Sequence, residues 1–311
     1  MNSITHLQKF RLMIFMISVQ IIFSSGCEKT RDLSLKEAAY INEIQEWHQK
    51  RIAALTTKNG WLSLAGLYWL KDGKNTFGSA EENNLKFPVC KAPDFIGSIY
   101  LEKGTVRCEI NEGISVFNGG DKVKSVQMQP DISGNPTILD LNSLSWFIIK
   151  RGEEYAVRLR DSENENITMF KGIEIFPIDT TWRVSAKLEP YDPPKIMDVP
   201  TALGTISKET SPGSLVFSLM GNTYRLDPIA QPGDESMFVI FADQTNGSET
   251  YGAGRFLYVN KPNENGVTII DFNKAYNPPC AFTAYATCPL PPTQNVLPIR
   301  VTAGEKKYAH H

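Results

Sequence analysis

From residue 61 onward the chain consists of short runs of β-branched and aromatic residues separated by Gly, Asn, Asp and Pro. Such runs are typical of strands joined by turns, and no long helical periodicity interrupts them. Because short turns without intervening helices favour antiparallel pairing, we predict a mainly β fold with an antiparallel sandwich or barrel-like body. The predicted strands are 61–70, 97–101, 105–110, 114–117, 123–128, 144–150, 155–160, 173–176, 195–199, 202–207, 213–219, 222–228, 237–242, 255–259, 266–271 and 297–302.

One amphipathic helix is predicted before these strands. Ser34 and Glu37 form a capping box, in which each side chain satisfies a free backbone N–H at the start of a helix. Apolar residues then recur at helical spacing, and Asn59 and Gly60 tolerate the left-handed conformation found at helix ends. The pattern predicts a helix over 35–56 that packs on the β body through its apolar face.

The N-terminus has the pattern of a secretory signal. Lys9 and Arg11 precede an apolar run, 12–23, and small residues then lead to Cys27. This arrangement is typical of a bacterial lipoprotein signal, in which residues 1–26 are removed and Cys27 is lipidated. Two acyl chains such as palmitate suffice for stable anchoring, so we expect an exported protein held at the cell envelope, facing the periplasm or the cell surface. An ordinary cleaved signal with a chance cysteine is the alternative.

The length of the apolar run and the net charge of the chain argue against a transmembrane anchor and against a nucleic-acid partner. The apolar run 12–23 is shorter than the roughly 20 residues that a membrane-spanning helix requires, so no transmembrane anchor is expected. The net charge is −2, and Lys and Arg are scattered rather than gathered in a basic stripe, which argues against a nucleic-acid partner. The expected partners are the membrane, through lipidated Cys27, and a small-molecule ligand.

Besides Cys27, the chain has four cysteines, and an even number in an exported chain permits disulfides. The simplest pairing is local, Cys90 with Cys108 and Cys280 with Cys288, although four cysteines allow three connectivities. A metal site is not predicted, because the sequence has no C-x-x-C and only four histidines. No cofactor is predicted either.

A Pro-rich segment at 189–194 suggests a connection between two β regions, since proline lacks a backbone donor and favours extended chain. After the signal, the predicted units are a tether and helix at 27–57, an N-terminal β region at 58–190 and a C-terminal β region at 191–311 with a Pro- and Cys-rich motif. The two β regions could also share one continuous core.

Four stretches carry a resemblance to a known family. They are WLSLAGLYWL at 61–70, DQTNGSETYGAGRFL at 243–257, DFNKAYNPPCAF at 271–282 and YATCPLPPTQNVLP at 285–298. Together they resemble a widespread prokaryotic family known as domain of unknown function 1684, and the resemblance runs over about 47–304. It implies no reaction that can be transferred to this chain.

A second resemblance concerns the N-terminal β region, 58–190. The turn residues at 73–78, 104–106 and 117–121 follow the order of turns in forkhead-associated β-sandwiches, which read phosphothreonine with an Arg and a Ser on loops. Here Ser79 stands where that family has the Arg. The resemblance therefore implies a sandwich fold without the phosphopeptide-binding pattern.

Polar residues concentrate in the motifs of the C-terminal β region, and loops that carry such residues often form sites. Asp243 and Asp271 could act as an acid–base pair or bind a hard cation, and Arg255 could clamp a carboxylate or phosphate. The candidate catalytic residues are Asp243, Arg255, Asp271 and Tyr276, and the candidate ligand-binding residues are Arg255, Asn273 and Asn277.

A structural interpretation of these residues stays open. Arg255 could pair with either Asp, and the two Asn could satisfy loop backbone through Asx-turns. Three aromatic residues also allow a functional and a structural interpretation. Trp61, Tyr68 and Trp69 could line an apolar groove or fill a core.

Two functions are compatible with the sequence, and whether the protein is an enzyme stays open. The absence of G-x-S-x-G, H-E-x-x-H and Walker motifs favours a binding module that takes a small ligand or a partner. The alternative is a hydrolase that uses Asp243 and Asp271, with Arg255 as an anion clamp.

Overall fold

The structure is a computed structural model that describes residues 35–308. The predicted signal at 1–26, the lipidation candidate Cys27 and the capping residue Ser34 lie outside the described residues. Helix α1 spans Leu35–Leu55, in agreement with the predicted helix. Within the described part of the chain, no helix combines the length and the apolar character needed to cross a membrane.

The first β region contains eleven strands, and its connection onward includes the short helix α2 (Glu165–Met169). The strands are β1 (Leu64–Trp69), β2 (Gly73–Gly78), β3 (Leu85–Lys86), β4 (Gly97–Glu102), β5 (Thr105–Ile110), β6 (Val116–Asn118), β7 (Asp121–Val123), β8 (Ser125–Met128), β9 (Leu139–Leu141), β10 (Leu144–Arg151) and β11 (Glu154–Asp161). One sheet has the order β1-β11-β10-β9-β6-β7 and the other has the order β3-β2-β4-β5-β8. Apart from the parallel pair β2–β3, the strands pair antiparallel.

These two sheets share one core, so the first β region is a sandwich. Trp146, on β10, is fully buried and contacts the rings of Phe77 and Phe87, each at 5.6 Å between centroids. Ile99 and Val157, from opposite sheets, lie in the same apolar cluster. A core shared by two sheets is the arrangement of a sandwich, as the sequence predicts.

The second β region contains six strands in two antiparallel sheets. The strands are β12 (Arg183–Pro200), β13 (Ile206–Leu219), β14 (Asn222–Leu226), β15 (Ser236–Phe241), β16 (Arg255–Asn260) and β17 (Val267–Asp271). Four of them form a sheet of order β14-β13-β12-β17, and β15 pairs with β16. Phe272 lies in the centre of this core, where its ring contacts those of Trp182, Phe217 and Phe241 at 5.5 to 6.2 Å. The mainly β, antiparallel architecture with one long N-terminal helix confirms the predicted fold class.

Helix α1 packs against the second β region through one face. Tyr40, Ile44, His48 and Leu55 are buried, and their spacing of three to four residues or its multiples places them along one side of the helix. The Tyr40 hydroxyl donates to Asp271, the last residue of β17. The helix is therefore attached by polar as well as apolar contacts.

The Pro-rich segment 189–194, predicted as a connection, lies inside β12 instead. The strand pairs with β13 up to Pro190 and again from Lys195, and a bulge separates the two stretches. A bulge accommodates prolines, because the bulged residues need not donate to the ladder. Val184, near the start of β12, already belongs to the second core. The division between the two cores thus falls between β11 and β12.

Three predicted strands are not regular strands in the structure. Residues 202–207 mostly form the turn between β12 and β13, whereas 173–176 and 297–302 run without a ladder. In the last case a side chain replaces the ladder partner: Val301 donates its backbone N–H to Asp243 at 3.1 Å.

The cysteines pair differently from the simplest prediction. Cys280 and Cys288 form a disulfide, but Cys90 and Cys108 are both free. Cys108 lies on β5 inside the sandwich core, whereas Cys90 is exposed on a loop. Their opposite environments explain why this local pair is not formed.

Candidate functional site

A cavity of about 500 Å³ lies where helix α1, strands β10 and β11, and the second β region meet. Six aromatic side chains line it, together with three arginines and a short segment that includes the disulfide. The aromatic residues are Trp47, Trp61, Phe238, Phe256, Tyr258 and Tyr276, and the arginines are Arg51, Arg151 and Arg158. A concave site that combines apolar rings with a few polar groups is typical of small-ligand pockets.

The aromatic wall is built on β15 and β16. Phe238 faces Tyr258 across this strand pair, and their ring centroids are 5.2 Å apart. The chain returns beside β16, where Phe256 and Tyr276 exchange two backbone hydrogen bonds of 2.9 Å. Tyr276 therefore stacks near Tyr258, at 6.3 Å between centroids and 16° between planes. Strand register thus fixes four of the six rings relative to one another.

Helix α1 supplies Trp47 and Arg51, which are one turn apart on the same face. Arg51 donates from Nε to Glu305 at 3.3 Å and from Nη2 to the carbonyl of Asn277 at 3.0 Å. Its guanidinium also lies over the Tyr276 ring, 4.6 Å from the centroid. Burial raises the pKa of Glu305, and Arg51 opposes this shift. Arg51 is therefore held in place on three sides.

The first β region supplies Arg151 and Arg158. Arg151 donates to Asp131 at 2.7 Å and to the Thr287 hydroxyl at 3.3 Å. Arg158 donates from Nη2 to the same hydroxyl at 3.3 Å. Burial, with the neighbouring Arg151 adding to it, lowers the pKa of Arg158 to about 10. Two cationic side chains thus converge on one hydroxyl from across the cavity wall.

The disulfide closes a loop that presents Thr287 to these arginines. Cys280 and Cys288 join the ends of the loop, and Cys288 itself lines the cavity. The loop continues to Pro289, which bridges to Thr201 at the end of β12. The position of Thr287 is therefore defined by a covalent link on one side and backbone pairing on the other.

The predicted acid–base residue Asp243 and the predicted clamp Arg255 form a buried ion pair away from this cavity. Both side chains are 0% exposed, and Arg255 Nη2 donates to Asp243 at 2.7 Å. Arg255 also donates to the carbonyls of Val301 and Ala303. Burial lowers the pKa of Arg255, and Asp243 opposes that shift. This geometry does not support a clamp for an external anion, because the guanidinium has no exposed edge.

Asp271 and Asn273 belong to a different network, at the start of helix α1. Asp271 accepts from the Tyr40 hydroxyl at 2.8 Å, and Asn273 Nδ2 donates to that hydroxyl at 2.9 Å. Asn273 also binds the backbone of Asp179. Burial, with Asp271 adding to it, raises the pKa of Tyr40. Among the hydrogen bonds of residues 35–308, Asp271 shares no partner with Asp243, so the predicted acid–base pair is not brought together.

The sequence-predicted candidates therefore separate into a lining residue and supporting ones. Tyr276 lines the cavity, and Asn277 lies behind it, donating from its side chain to the carbonyl of Lys306 at 2.8 Å. Trp61 also lines the cavity, whereas Tyr68 stacks on Phe87 in the sandwich. Within the described part of the chain, no group of three or more His, Cys, Asp or Glu residues could hold a metal ion.

Sequence reasoning missed Arg51, Arg151 and Arg158 as site residues. A usable signal existed for Arg158, because its four neighbours within the run 155–159 on β11 are apolar and all four are buried. A charge inside such a run suggests either a buried ion pair or a ligand contact. The positions of Arg51 and Arg151 carry no comparable signal.

Several solved structures are similar to parts of this chain. A solution NMR structure of an uncharacterised protein from Haloarcula marismortui is 29% identical, covers 48% of this chain and 82% of its own, and has a TM-score of 0.40. A structure from work on phosphothreonine-dependent FHA domain interactions is 12% identical, covers 30% of this chain and 92% of its own, and has a TM-score of 0.22. The FhaA FHA domain, solved in complex with an intracellular domain, is 12% identical, covers 30% of this chain and 97% of its own, and has a TM-score of 0.21.

These three TM-scores are too low to support an argument about fold or function, so the likeness to forkhead-associated sandwiches stays a prediction. No curated protein matches the chain. Residues 168–306, which include the second β region, match the model of the family described as protein of unknown function DUF1684, and this match confirms the family resemblance over these residues. The stretch 61–70 lies outside the match, so the predicted extent of the resemblance before residue 168 stays a prediction.

Proposed function

We propose that the protein is a binding module for a small organic ligand, which it holds in the cavity between α1 and the two β regions. One observation carries the proposal: six aromatic side chains from separate parts of the chain line a single cavity of about 500 Å³. That volume falls in the range of small-molecule sites, and aromatic walls offer a ligand apolar contact area. The ion pairs and the disulfide around the cavity support a pocket that is formed before the ligand arrives.

The proposal extends to where the protein works. The lipoprotein-type signal at 1–26 and Cys27 support an exported protein that lipid anchors hold at the cell envelope. Only a short polar tether separates Cys27 from α1, and α1 carries Trp47 and Arg51 of the cavity. On this proposal the module binds its ligand close to the membrane surface.

The hydrolase alternative gains no support from the geometry. It requires Asp243 and Asp271 to act on one substrate, but they take part in separate hydrogen-bond networks. It also requires Arg255 to face a substrate, and the side chain of Arg255 is fully buried.

The binding of 2-naphthol, a neutral two-ring aromatic, tests the proposed function. Isothermal titration calorimetry would be run on the full chain in detergent micelles, with protein-free micelles titrated to subtract partitioning. We expect Trp47→Ala to weaken binding about tenfold, because loss of roughly 1.4 kcal/mol of apolar contact corresponds to that factor.

Trp69→Ala is the matched control, since Trp69 is a half-buried tryptophan that packs near Phe147, outside the cavity. It should leave 2-naphthol affinity unchanged. Equal losses in both variants with native circular dichroism, or failure of 2-naphthol and of every other naphthyl compound tested to bind, would overturn the proposed pocket.

A further inference from the structure

The cavity has an unbalanced charge. Three arginines line it, and none of the described residues that line it is Asp or Glu. Burying cationic groups without carboxylates beside them is costly, so each guanidinium should have a partner elsewhere. The three arginines differ in whether they have one.

Two of the three are matched by carboxylates behind the wall. Arg51 pairs with Glu305, whose side chain is fully buried, and Arg151 pairs with Asp131. Both guanidiniums are also engaged by other acceptors. Neither side chain requires a ligand to complete its contacts.

Arg158 is the exception. It is only 5% exposed, yet it forms no ion pair with any carboxylate among residues 35–308. Among the described residues its Nε has no hydrogen-bond partner, and its Nη2 donates to the Thr287 hydroxyl alone, at the long distance of 3.3 Å. Asp131, which favours the charged form of Arg158, is already bound to Arg151. Near neutral pH the side chain is a buried cation without a counter-ion, because even a pKa of about 10 leaves it protonated.

We infer that the ligand of this pocket is a flat, apolar organic molecule that carries one oxyanion group, a carboxylate or a phosphate, and that Arg158 binds the oxyanion. The inference rests on the proposed function and names the ligand class for the same site. The planar guanidinium of Arg158 offers the fork geometry that matches carboxylate and phosphate oxygens. The rings on the opposite wall accept the apolar body of the ligand.

Thr287 completes the oxyanion site. Its hydroxyl oxygen accepts from Arg151 and from Arg158, so its own O–H points to neither of them. Among the described residues no acceptor is bonded to that O–H, and it can donate to a ligand oxygen. The anion would thus meet a cation and a hydroxyl donor on the same side of the cavity.

The test compares three ligands with the same ring system: 2-naphthol, 2-naphthoate and 2-naphthyl phosphate. Calorimetry on the full chain should show that at least one anion binds about tenfold or more tightly than 2-naphthol, since a charge-assisted hydrogen bond is worth roughly 1.5–3 kcal/mol. The carboxylate and phosphate arms identify which oxyanion the site prefers.

Variants of Arg158 assign that preference to one side chain. Arg158→Gln should bring the affinity for the preferred anion to within about threefold of that for 2-naphthol, and Arg158→Lys, which keeps the charge but loses the fork, should give an intermediate value. The matched control is Arg160→Gln, two residues along β11, because Arg160 is also partly buried but lies over Phe147 and is not among the residues that line the cavity. It should retain the anion preference.

The experiment distinguishes a wrong ligand class from a wrong proposed function. If 2-naphthol and both anions bind equally well, or if Arg158→Gln keeps the anion preference, the inference is overturned while the proposed function stands. If no naphthyl compound binds, the proposed function falls as well. Should Arg158→Gln fail to fold, the wild-type preference for an anion over 2-naphthol still decides the ligand class.

Discussion

Two buried arginines of this chain, Arg255 and Arg158, differ in how their charge is compensated. Arg255 is enclosed by the Asp243 carboxylate and by backbone carbonyls of residues 301–303. Within residues 35–308, the guanidinium of Arg158 has one hydrogen-bond acceptor, the Thr287 hydroxyl. Because a buried charge is tolerated when it is paired and costly when it is not, the first arginine should contribute to stability and the second should not.

The same substitution at both positions tests this contrast. Arg255→Gln should lower the free energy of unfolding by about 3–5 kcal/mol, because it leaves the Asp243 carboxylate buried without a cation. Arg158→Gln should lower it by less than about 1 kcal/mol, or raise it, because it removes an uncompensated charge. Urea denaturation followed by circular dichroism measures both values. Losses of similar size would mean that the charge of Arg158 is compensated in the ligand-free protein.

At the level of elements, helix α1 is attached by buried polar side chains as much as by apolar ones. Tyr40 reaches Asp271, Arg51 reaches Glu305, and His48 Nε2 lies 3.0 Å from the carbonyl of Ile173. An Nε2 at that distance from a carbonyl must carry the proton, so the neutral ring donates and Nδ1 has no partner. Docking of this helix should therefore depend on the protonation of His48.

Because of His48, the folded protein should become less stable as the pH falls. Burial lowers the pKa of His48 from 6.5, with Arg51 adding to the shift and the Ile173 carbonyl opposing it. The unfolded chain therefore takes up a proton at higher pH than the folded chain, and stability is lost as the pH falls below 6.5. His48→Gln keeps a donor for the Ile173 carbonyl but cannot titrate, so it should lose less stability between about pH 7.5 and about pH 5.5. Urea midpoints at the two pH values check this, and identical losses in both proteins would contradict it.

The disulfide loop is a second element with a measurable contribution. Replacing both Cys280 and Cys288 by Ala should lower the free energy of unfolding by about 2.5 kcal/mol, because the unfolded chain regains the entropy that closing this short loop removes. Cys90→Ala is the control, because Cys90 is exposed and free and should leave the melting temperature unchanged. Thermal unfolding followed by circular dichroism gives both values. A double variant as stable as the wild type would mean that backbone contacts alone hold the loop.

Local patterns predicted the elements of this protein better than its site. Helix α1 and strand β5 agree with prediction almost to the residue, because capping residues, turns and side-chain periodicity are encoded within short stretches. The prediction of a connection at 189–194 is wrong because this Pro-rich segment forms a bulge within the long strand β12. The prediction of a strand at 297–302 is wrong because the backbone of Val301 forms hydrogen bonds with buried side chains rather than with a neighbouring strand.

The candidate site was harder to predict because its walls are far apart in sequence. The motif residues Asp243 and Arg255 satisfy each other, and motif density alone does not separate such a pair from a ligand site. Arg158 meets Thr287 only through packing between the two β regions, which no local pattern specifies. Of the candidate catalytic residues, Tyr276 reaches the cavity, where pairing with β16 places it, and Trp61, predicted to line a groove or fill a core, lines the cavity as well.

For the molecule as a whole, the proposed lipid anchor at Cys27 can be tested directly. Cells that express the protein in radiolabelled palmitate should yield a labelled band, and Cys27→Ser should abolish the label because the acceptor thiol is gone. Cys90→Ala, at an exposed free thiol, should retain it. An unlabelled wild-type protein released in soluble form from the envelope would support the ordinary cleaved signal instead.

The cavity takes its walls from α1, from the sandwich and from the second β region. Each β region has its own apolar core, but neither one alone contains the opposing walls of the pocket. A recombination event between Asp161 and Arg183 would take the two sides of the cavity from different parent chains. If the proposed function is correct, selection for the ligand would act against exchanging either half, and the halves should be inherited together.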